Sequence, residues 1–280
     1  MADHLIRAGH YTLTTGSKTL VMGILNVTPD SFSDGGLFLS PEKAVECGLR
    51  MAEEGADVID VGGESTRPFS QPITVDQEKK RVLPVIEKLT GQLSIPISID
   101  TYKYEVAKSA LAAGASIVND ITALTYSKKM VSLIAKNKAG VILMHMKGTP
   151  RKMQRKPEYG AVVPEIYAFL AERISYAQQH GIAFKNMIID PGIGFGKLLH
   201  HNLALINELE YFATINRPIM VGASRKSFIG AILNDPVNDR LEGSLATAVM
   251  AVARGAHIVR VHDVRETVRA VTIADAIGRP

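Results

Sequence analysis

Short apolar runs alternate with longer amphipathic stretches along the chain, and this alternation predicts its secondary structure. Eight runs are almost continuously hydrophobic and rich in β-branched residues, which is typical of strands buried on both faces of a parallel sheet. They are 20–27, 57–63, 95–100, 116–120, 140–145, 186–191, 218–224 and 257–263. The stretches between them have helical periodicity; the first, 40–55, has Ser40 as N-cap, Pro41 at the first helical position and Gly55 past its end.

Eight buried strands separated by crossovers predict an α/β fold, a single-domain (β/α)8 TIM barrel, and the length of 280 residues fits this architecture. Residues 4–19 precede the first barrel strand, alternate apolar and polar positions, and contain turn residues at Thr15-Gly16. We therefore expect a short N-terminal β-hairpin within 1–19 that closes the bottom of the barrel. The barrel itself is expected to occupy 20–280.

Each predicted strand has a polar residue at or just beyond its carboxyl end. In a TIM barrel these ends meet at one rim, where the βα loops form the active site. A single such residue is most often a cap at a strand-to-helix turn, but a polar end on all eight strands predicts an active site. The residues expected at this rim are Asn26, Asp60, Glu64, Asp100, Asn119, Asp120, His145, Asp190, Ser224, Arg260 and His262. The loop "TPDSFSDGG" (28–36) is too long and polar for a plain connector and is expected to cover the mouth.

The polar groups expected at the floor of the mouth are mostly acceptors. Asp100 and Asp190 offer carboxylates and Asn119 a carboxamide, a set that suits a flat heterocycle with several N–H groups better than an anion. The alternative is that each carboxylate caps the helix after it. The segment "PGIGFGK" (191–197) matches neither the P-loop nor the dinucleotide fingerprint, so we interpret it as a tight turn with Phe195 as a wall.

A second group of residues suits an anion. Ser224 is expected to cap a helix whose N–H groups face the mouth, and Lys226 adds a cation. Arg260 and His262 lie two positions apart and should face the same side. Arg67, in "GGESTRP" (62–68), has a planar fork suited to a carboxylate or phosphate, although a surface loop would also accommodate it.

Composition narrows the function classes. The single cysteine, Cys47, excludes an intrachain disulfide and a cysteine-built zinc site, which favours the cytoplasm. The net charge of +4 is spread over a mixed surface, so we expect no nucleic-acid partner, and no apolar stretch reaches the ~20 residues of a membrane span. No histidine or acidic cluster has zinc-site spacing. Mg²⁺ shared between Asn26 and a substrate phosphate is the metal site that these residues allow.

Together these motifs resemble the dihydropteroate synthase family. "GILNVTPDSFSDGG", "GGESTRP", "SIDTYK", "VND", "DPGIGFGK", "GASRKSFIG" and "RVHDV" occur in the family's order, between residues 20 and 275. The resemblance implies a TIM barrel that joins 6-hydroxymethyl-7,8-dihydropterin diphosphate to 4-aminobenzoate, giving 7,8-dihydropteroate and diphosphate. Phe69-Ser70, after "STRP", departs from the glycine and small residue more usual in the family.

The resemblance also implies a role for each matching residue. The pterin is expected to contact Asp100, Asn119, Met144, Asp190, Phe195, Gly222, Lys226 and Arg260. The diphosphate is expected to contact Asn26, through Mg²⁺, and Thr66, Arg67, Arg260, Val261 and His262. Aminobenzoate is expected to contact Phe32, Thr66, Pro68 and Ser224, its carboxylate lying at the helix start in 224–227.

For the reaction, the resemblance implies a dissociative displacement in which Asp34 or Asp100 offsets positive charge on the pterin methylene, with Lys226 and Arg260 also in the catalytic set. A homodimer is expected, with 241–255 as a pairing helix or, equally, as a helix packed on the barrel. Two other interpretations remain open. A methyltetrahydrofolate-binding methyltransferase barrel needs no Arg-His anion site, and a non-catalytic pterin carrier needs no "TPDSFSDGG" loop.

Overall fold

A computed structural model describes residues 3–28, 40–65, 70–154 and 156–278 of the chain. The described residues form ten strands and nine α-helices. The first two strands, β1 and β2, form an antiparallel hairpin, and the other eight form one parallel sheet. The barrel strands are β3 (Leu20–Asn26), β4 (Val58–Gly62), β5 (Ile97–Asp100), β6 (Ile117–Asp120), β7 (Gly140–Met144), β8 (Met187–Asp190), β9 (Met220–Val221) and β10 (Ile258–Val261).

The parallel sheet closes on itself, as the TIM-barrel prediction requires. Its strand order is β8-β7-β6-β5-β4-β3-β10-β9, and a parallel bridge between Ile189 and Ile219 joins the two ends. The backbone N–H of Ile189 donates to Pro218 O at 3.0 Å across this seam. The seventh predicted strand, 218–224, is mostly irregular: only two of its residues belong to β9.

The helices follow the strands and surround the barrel. They are α1 (Pro41–Glu53), α2 (Val75–Thr90), α3 (Tyr104–Ala112), α4 (Lys128–Asn137), α5 (Val162–Gln179), α6 (Leu199–Asn207), α7 (Ser227–Leu233), α8 (Leu241–Ala253) and α9 (Val264–Gly278). The start of α1 confirms the sequence prediction, since Ser40 Oγ accepts from Lys43 N and Pro41 is the first helical residue. Gly55, just past the end, has φ +100°, a left-handed value that favours glycine.

The N-terminal hairpin consists of β1 (Leu5–Ala8) and β2 (Tyr11–Thr14). Its turn was predicted at Thr15-Gly16, and this is wrong: Ala8 pairs with Tyr11, so the turn lies at 9–10. Gly9 has φ +61° there, a conformation that glycine adopts without steric cost. Thr15 follows the second strand, and its backbone N–H donates to His4 O.

Two apolar layers hold the barrel together. An outer layer fills the space between strands and helices, with Leu25, Ile59 and Ile99 fully buried in it. An inner layer fills the lower barrel and includes Ile6 and Ala8 of the hairpin. The barrel residues of this inner layer are Leu20, Met22, Val58, Ile117, Ile142, Ile188, Met220 and Ile258.

No helix in the described parts of the chain combines the length and the apolar character needed to cross a lipid bilayer.

Candidate active site

The upper end of the barrel interior is polar where the lower end is apolar. Successive side chains of a strand point to opposite faces, so residues two apart share a face. On four strands, an apolar residue of the inner layer is followed two positions later by a polar one. The pairs are Val58 and Asp60, Ile117 and Asn119, Ile188 and Asp190, and Ile258 and Arg260. The same alternation brings Asn26, Asp100, Met144 and Gly222 to the inside. The predicted pterin residues on these strands therefore meet above the inner layer.

A network of charged hydrogen bonds crosses this polar layer. Arg260 donates from Nε to Asp60 Oδ2 at 2.6 Å and from Nη2 to Asp100 Oδ2 at 2.7 Å. Asn119 Nδ2 donates to the same Asp60 oxygen at 3.0 Å. The second carboxylate oxygens of Asp60 and Asp100, and Ser98 Oγ, are buried without a hydrogen-bond partner among the described residues. The floor thus has spare acceptors.

The electrostatics of the floor follow from burial. Burial raises the pKa of Asp100 to about 7, with the Arg260 guanidinium acting in the opposite direction and the Asp60 carboxylate adding to the rise. The pKa of Asp190 is also raised by burial, against the opposing charge of Lys226. Burial lowers the pKa of Lys226 to about 8, and Asp190 limits that fall. The acidic and basic groups of the floor are therefore close enough to shift one another's pKa.

The glycine-rich turn after β8 forms one side of the site, as predicted for "PGIGFGK". Asp190 Oδ1 accepts from Gly192 N at 2.7 Å, so this carboxylate holds the turn as well as facing the floor. Gly192 has φ +71°, and a Cβ there would lie 2.0 Å from His145 O, which only glycine avoids. Phe195 stands on this turn with Lys226 Nζ 4.5 Å from its ring centroid. Lys226 also donates from Nζ to Ile193 O.

Ser224 does not cap the following helix, contrary to the prediction. The helix α7 begins at Ser227, its N-cap position is Lys226, and no side chain caps it. Ser224 Oγ lies 3.0 Å from His262 Nδ1 and accepts from His262 N at 3.3 Å. It therefore joins the ends of the two last strands instead of starting a helix.

These side chains surround an open cleft of about 450 Å³ at the carboxyl end of the barrel. Cations and hydroxyls form the upper walls, and Asp100 and Arg260 form the part of the floor that the cleft reaches. Its lining residues are Ile24, Asn26, Thr28, Glu64, Ser65, Asp100, Met153, Gly194, Phe195, Ser224, Arg225, Lys226, Ser227, Val237, Arg240, Arg260 and His262. Asn119 and Asp190 lie behind Arg260 and Lys226, 3% and 4% exposed.

Not every polar strand end reaches the cleft, so the predicted convergence of all of them was wrong. Asp120 accepts from Thr122 N at 2.8 Å and Leu124 N at 2.9 Å and so caps its own turn. His145 turns away from the barrel, where its Nδ1 lies 3.1 Å from Lys197 Nζ. Burial lowers the pKa of His145 to about 3. The side chain of Val261 belongs to the outer apolar layer, which leaves only its backbone for the predicted diphosphate contact.

Five predicted site residues lie outside the described residues: Phe32, Asp34, Thr66, Arg67 and Pro68. The described residues on either side of the last three are in contact, since Ser70 Oγ donates to Ser65 O at 2.6 Å. Met144 is 3% exposed at the top of β7. A Cβ built on Gly222 would lie 3.7 Å from Arg260 Cβ, so glycine leaves room beside the arginine.

The geometry agrees with the relatives of this sequence. Residues 22–262 match the family model described as pterin binding enzyme. The chain is 45% identical over 267 residues to the dihydropteroate synthase of Bacillus subtilis (strain 168). These aligned residues cover 95% of this chain and 90% of that protein. The solved structure of Xanthomonas albilineans dihydropteroate synthase with 4-aminobenzoic acid has a TM-score of 0.93, 42% identity and full coverage of both chains. The chain belongs to the dihydropteroate synthase family. The Yersinia pestis dihydropteroate synthase, solved with a sulfonamide drug complex, is similar at a TM-score of 0.92, 42% identity and 98% coverage of both chains.

As a member of the dihydropteroate synthase family the chain is a transferase. It condenses 6-hydroxymethyl-7,8-dihydropterin diphosphate with 4-aminobenzoate to 7,8-dihydropteroate and diphosphate in folate biosynthesis. The resemblance, the TIM-barrel fold and the reaction expected from the sequence are confirmed. The methyltransferase barrel and the non-catalytic carrier gain no support from these relatives.

The sequence assigned no substrate contact to several residues that the fold places in or directly below the dihydropteroate synthase cleft. Asp60 links Arg260 to Asn119, and its inward position was readable from the two-residue step beyond Val58. Arg225 and Arg240 line the cleft beside Ser224 and Lys226. Arg240 comes from the start of α8, and nothing in its local sequence indicates that position.

Proposed function

We propose that the pterin ring binds against the polar floor of the barrel, with its N–H groups donating to Asp100 and Asp190. The observation that carries the assignment to Asp100 is its Oδ1, which is buried without a hydrogen-bond partner among the described residues; Asp190 comes from the neighbouring part of the same inward-facing polar layer. An unpaired buried acceptor is costly, and a ring with adjacent N–H donors offsets that cost. Asn119, held by Asp60, presents its carboxamide beside these carboxylates.

The walls of the pterin slot are proposed to be Met144, Phe195 and Gly222. Phe195 and Met144 offer apolar surface, and the absence of a side chain at Gly222 leaves the width that a flat ring needs. Lys226 would donate to a ring acceptor in place of Ile193 O. Arg260 would lie along the ring face, a position suited to its planar guanidinium.

The diphosphate would lie above the ring, toward Asn26, Arg260 and His262, which line the cleft together. Arg260 uses Nε and Nη2 on Asp60 and Asp100, so Nη1 is the atom left to meet an anion. His262 is placed by Ser224 Oγ, 3.0 Å from its Nδ1, and its side chain lines the same part of the cleft as Asn26 and Arg260. The predicted contacts of Thr66, Arg67 and the Val261 backbone stay predictions.

The residues present fit Mg²⁺ held mainly by substrate. No group of three or more histidine, cysteine or acidic side chains that could hold a metal occurs among the described residues. Mg²⁺ binds through few protein ligands when phosphate oxygens complete its shell. Asn26 lines the cleft, and its carboxamide oxygen would be the protein ligand of such a shell. When bound, Mg²⁺ would neutralise the charge of the departing diphosphate.

The aminobenzoate carboxylate is proposed to lie between Ser224 and the start of α7. Arg225, Lys226 and Arg240 line this end of the cleft and give it a positive potential. The Xanthomonas albilineans relative solved with 4-aminobenzoic acid supports this compound as the substrate, and the positive charges support its carboxylate at this end of the cleft. The contacts assigned to Phe32 and Pro68 stay predictions.

The reaction breaks the bond between the pterin methylene carbon and the diphosphate oxygen and forms a bond from that carbon to the aniline nitrogen, which then loses a proton. Arg260 and His262 would stabilise the negative charge on the departing oxygen. Asp100, below them in the cleft, would offset positive charge on the methylene as the bond lengthens. Asp34 is the alternative for this role and stays a prediction.

The test of this proposal is a comparison of Asp100→Asn with the parent for binding and turnover. The amide keeps the shape but removes the charge, so we expect pterin diphosphate affinity and kcat both to fall. Binding is measured by calorimetry and turnover by diphosphate release in the presence of aminobenzoate. Parent-like values for both would contradict the proposed floor.

A homodimer and a cytoplasmic location are also proposed. Exposed apolar residues on α8 and α9 support the first, since Met250, Ile273 and Ile277 are 48%, 63% and 77% exposed on two helices that pack together. The single cysteine supports the second. Sedimentation of the parent and of Ile273→Glu tests the dimer: the parent should sediment as a dimer and the variant as a monomer, and an unchanged variant would place the interface elsewhere.

A further inference from the structure

Arg225 sits between two cleft residues in a backbone conformation that needs support. Its φ of +57° is left-handed, which is unusual for a residue with a Cβ, and Ser224 and Lys226 on either side both line the cleft. Because this one residue turns the chain, it fixes the direction in which both neighbours point. Such outliers persist only where surrounding contacts hold them, and they cluster at functional sites.

Four contacts hold Arg225 in place. Its backbone N–H donates to Ser244 Oγ at 2.9 Å, and its carbonyl accepts from Arg240 Nη1 at 3.1 Å. Its guanidinium binds Asp263 through both carboxylate oxygens, with Nε 3.0 Å from Oδ2. This bidentate geometry is directional and strong compared with a single ion pair.

Asp263 is itself anchored and stands outside the cleft. Its carbonyl accepts from Thr267 N at 3.1 Å and from Thr267 Oγ1 at 2.7 Å, which fixes it at the start of α9. It directly follows His262, whose Nδ1 lies 3.0 Å from Ser224 Oγ. The Arg225–Asp263 pair therefore runs parallel to the Ser224–His262 contact, and the two together join the loops after β9 and β10.

We propose that Arg225 and Asp263 are positioning residues for the transferase reaction. Their ion pair holds the left-handed turn at Arg225, and the turn directs Ser224 toward aminobenzoate and Lys226 toward the pterin. The inference rests on the roles proposed above for Ser224 and Lys226. It differs from a direct role for Arg225, in which the guanidinium would contact a substrate and Asp263 would be dispensable.

The test is a double-mutant cycle with Arg225→Met, Asp263→Asn and the double variant, with kcat and KM measured for each substrate. Misplacement of binding groups costs on the order of 10–100-fold in kcat/KM, and we expect this loss from each single variant, for both substrates. The double variant should lose no more than the worse single variant, because one pair is broken in all three. Lys88→Met is the control, since it removes an ion pair of 2.5 Å with Glu42 between α1 and α2, away from the cleft; it should keep parent activity.

Several outcomes would overturn the proposal. Parent-like kcat/KM in Asp263→Asn beside an impaired Arg225→Met would mean that Arg225 contacts substrate directly. Losses that multiply in the double variant would mean that the two residues act independently. Arg225→Lys serves if the larger changes prevent folding: it keeps the charge but not the fork, so full activity in this variant also contradicts the proposal. Ser224→Ala and Lys226→Met are measured in parallel, and parent-like values in both would remove the proposed function of these residues and the positioning role with it.

Discussion

The lower and upper halves of the barrel interior are built from the same strands but have opposite chemistry. On β8, Ile188 is 1% exposed in the apolar layer, and Asp190, two residues further, is 4% exposed in the polar floor. β10 repeats the change from Ile258 to Arg260, and β4 from Val58 to Asp60. The lower half gains stability from burial of apolar surface. The upper half keeps charged groups away from water, which costs free energy. Hydrogen bonds from a bound substrate can offset that cost. On each of these strands, the residue that stabilises the barrel and the residue proposed to serve the site are therefore only two positions apart.

The largest effect is expected from the lower half. Ile188→Ala should reduce the free energy of unfolding by about 2–5 kcal/mol, because it removes fully buried methyl groups and leaves a cavity. Its KM values should stay close to those of the parent. Chemical denaturation gives the stability and steady-state kinetics the KM values. A large rise in KM with little loss of stability would show that the two halves are not separable.

Asp190→Asn, on the same strand, should weaken substrate binding more than it reduces stability. Hydrogen bonds to a charged group contribute about 1.5–3 kcal/mol each. The amide of the variant would also place an N–H donor opposite the N–H donors of the ring. We therefore expect the affinity for pterin diphosphate to fall by at least the contribution of one such bond. Some stability is also expected to be lost, since Asp190 holds Gly192 N. Calorimetry measures the affinity. Unchanged binding would mean that Asp190 serves only the turn.

The pH dependence of kcat/KM tests the charges in the upper half. The pKa of Asp100 is raised to about 7, so the carboxylate form needed to accept N–H groups is lost as the pH falls through that value. The pKa of Lys226 is lowered to about 8, so its charge is lost as the pH rises through that value. We expect a narrow bell between these limits.

Asp60→Asn should move one side of that bell. The Asp60 carboxylate contributes to the raised pKa of Asp100, so its neutralisation should shift the acidic limb to lower pH and leave the basic limb in place. An acidic limb that does not respond to Asp60→Asn would assign it to another group.

The smallest effect is expected from Asn26, at the edge of the polar half. Asn26→Ala should raise the Mg²⁺ concentration needed for half-maximal activity by about tenfold, equivalent to about 1.4 kcal/mol, because the variant lacks the carboxamide proposed as one of several Mg²⁺ ligands. The melting temperature should stay near that of the parent, since the side chain is only half-buried at a strand end. A parent-like Mg²⁺ titration would remove Asn26 from the metal site.

The sequence by itself determined the barrel and most of its inward-facing chemistry. Near-continuous apolar runs identify strands buried on both sides, and their number and crossovers identify the closed sheet. The two-residue period also identifies which polar residues can share the interior, because Asn119 and Asp120 are neighbours and cannot both face inward. That rule, applied strictly, would have excluded Asp120, His145 and the Val261 side chain from the site.

Only the tertiary structure decided how these residues pair. Arg260 is separated from Asp60 by 200 positions and from Asp100 by 160, and its bonds to both depend on closure of the sheet. Ser224 reads as a helix cap from its local sequence, but it contacts His262 because β9 and β10 are neighbours. Arg225 owes its left-handed conformation to Asp263, Ser244 and Arg240, which lie on later elements. Local sequence determines which face a side chain occupies; its partner is determined by strands and helices that meet only after folding.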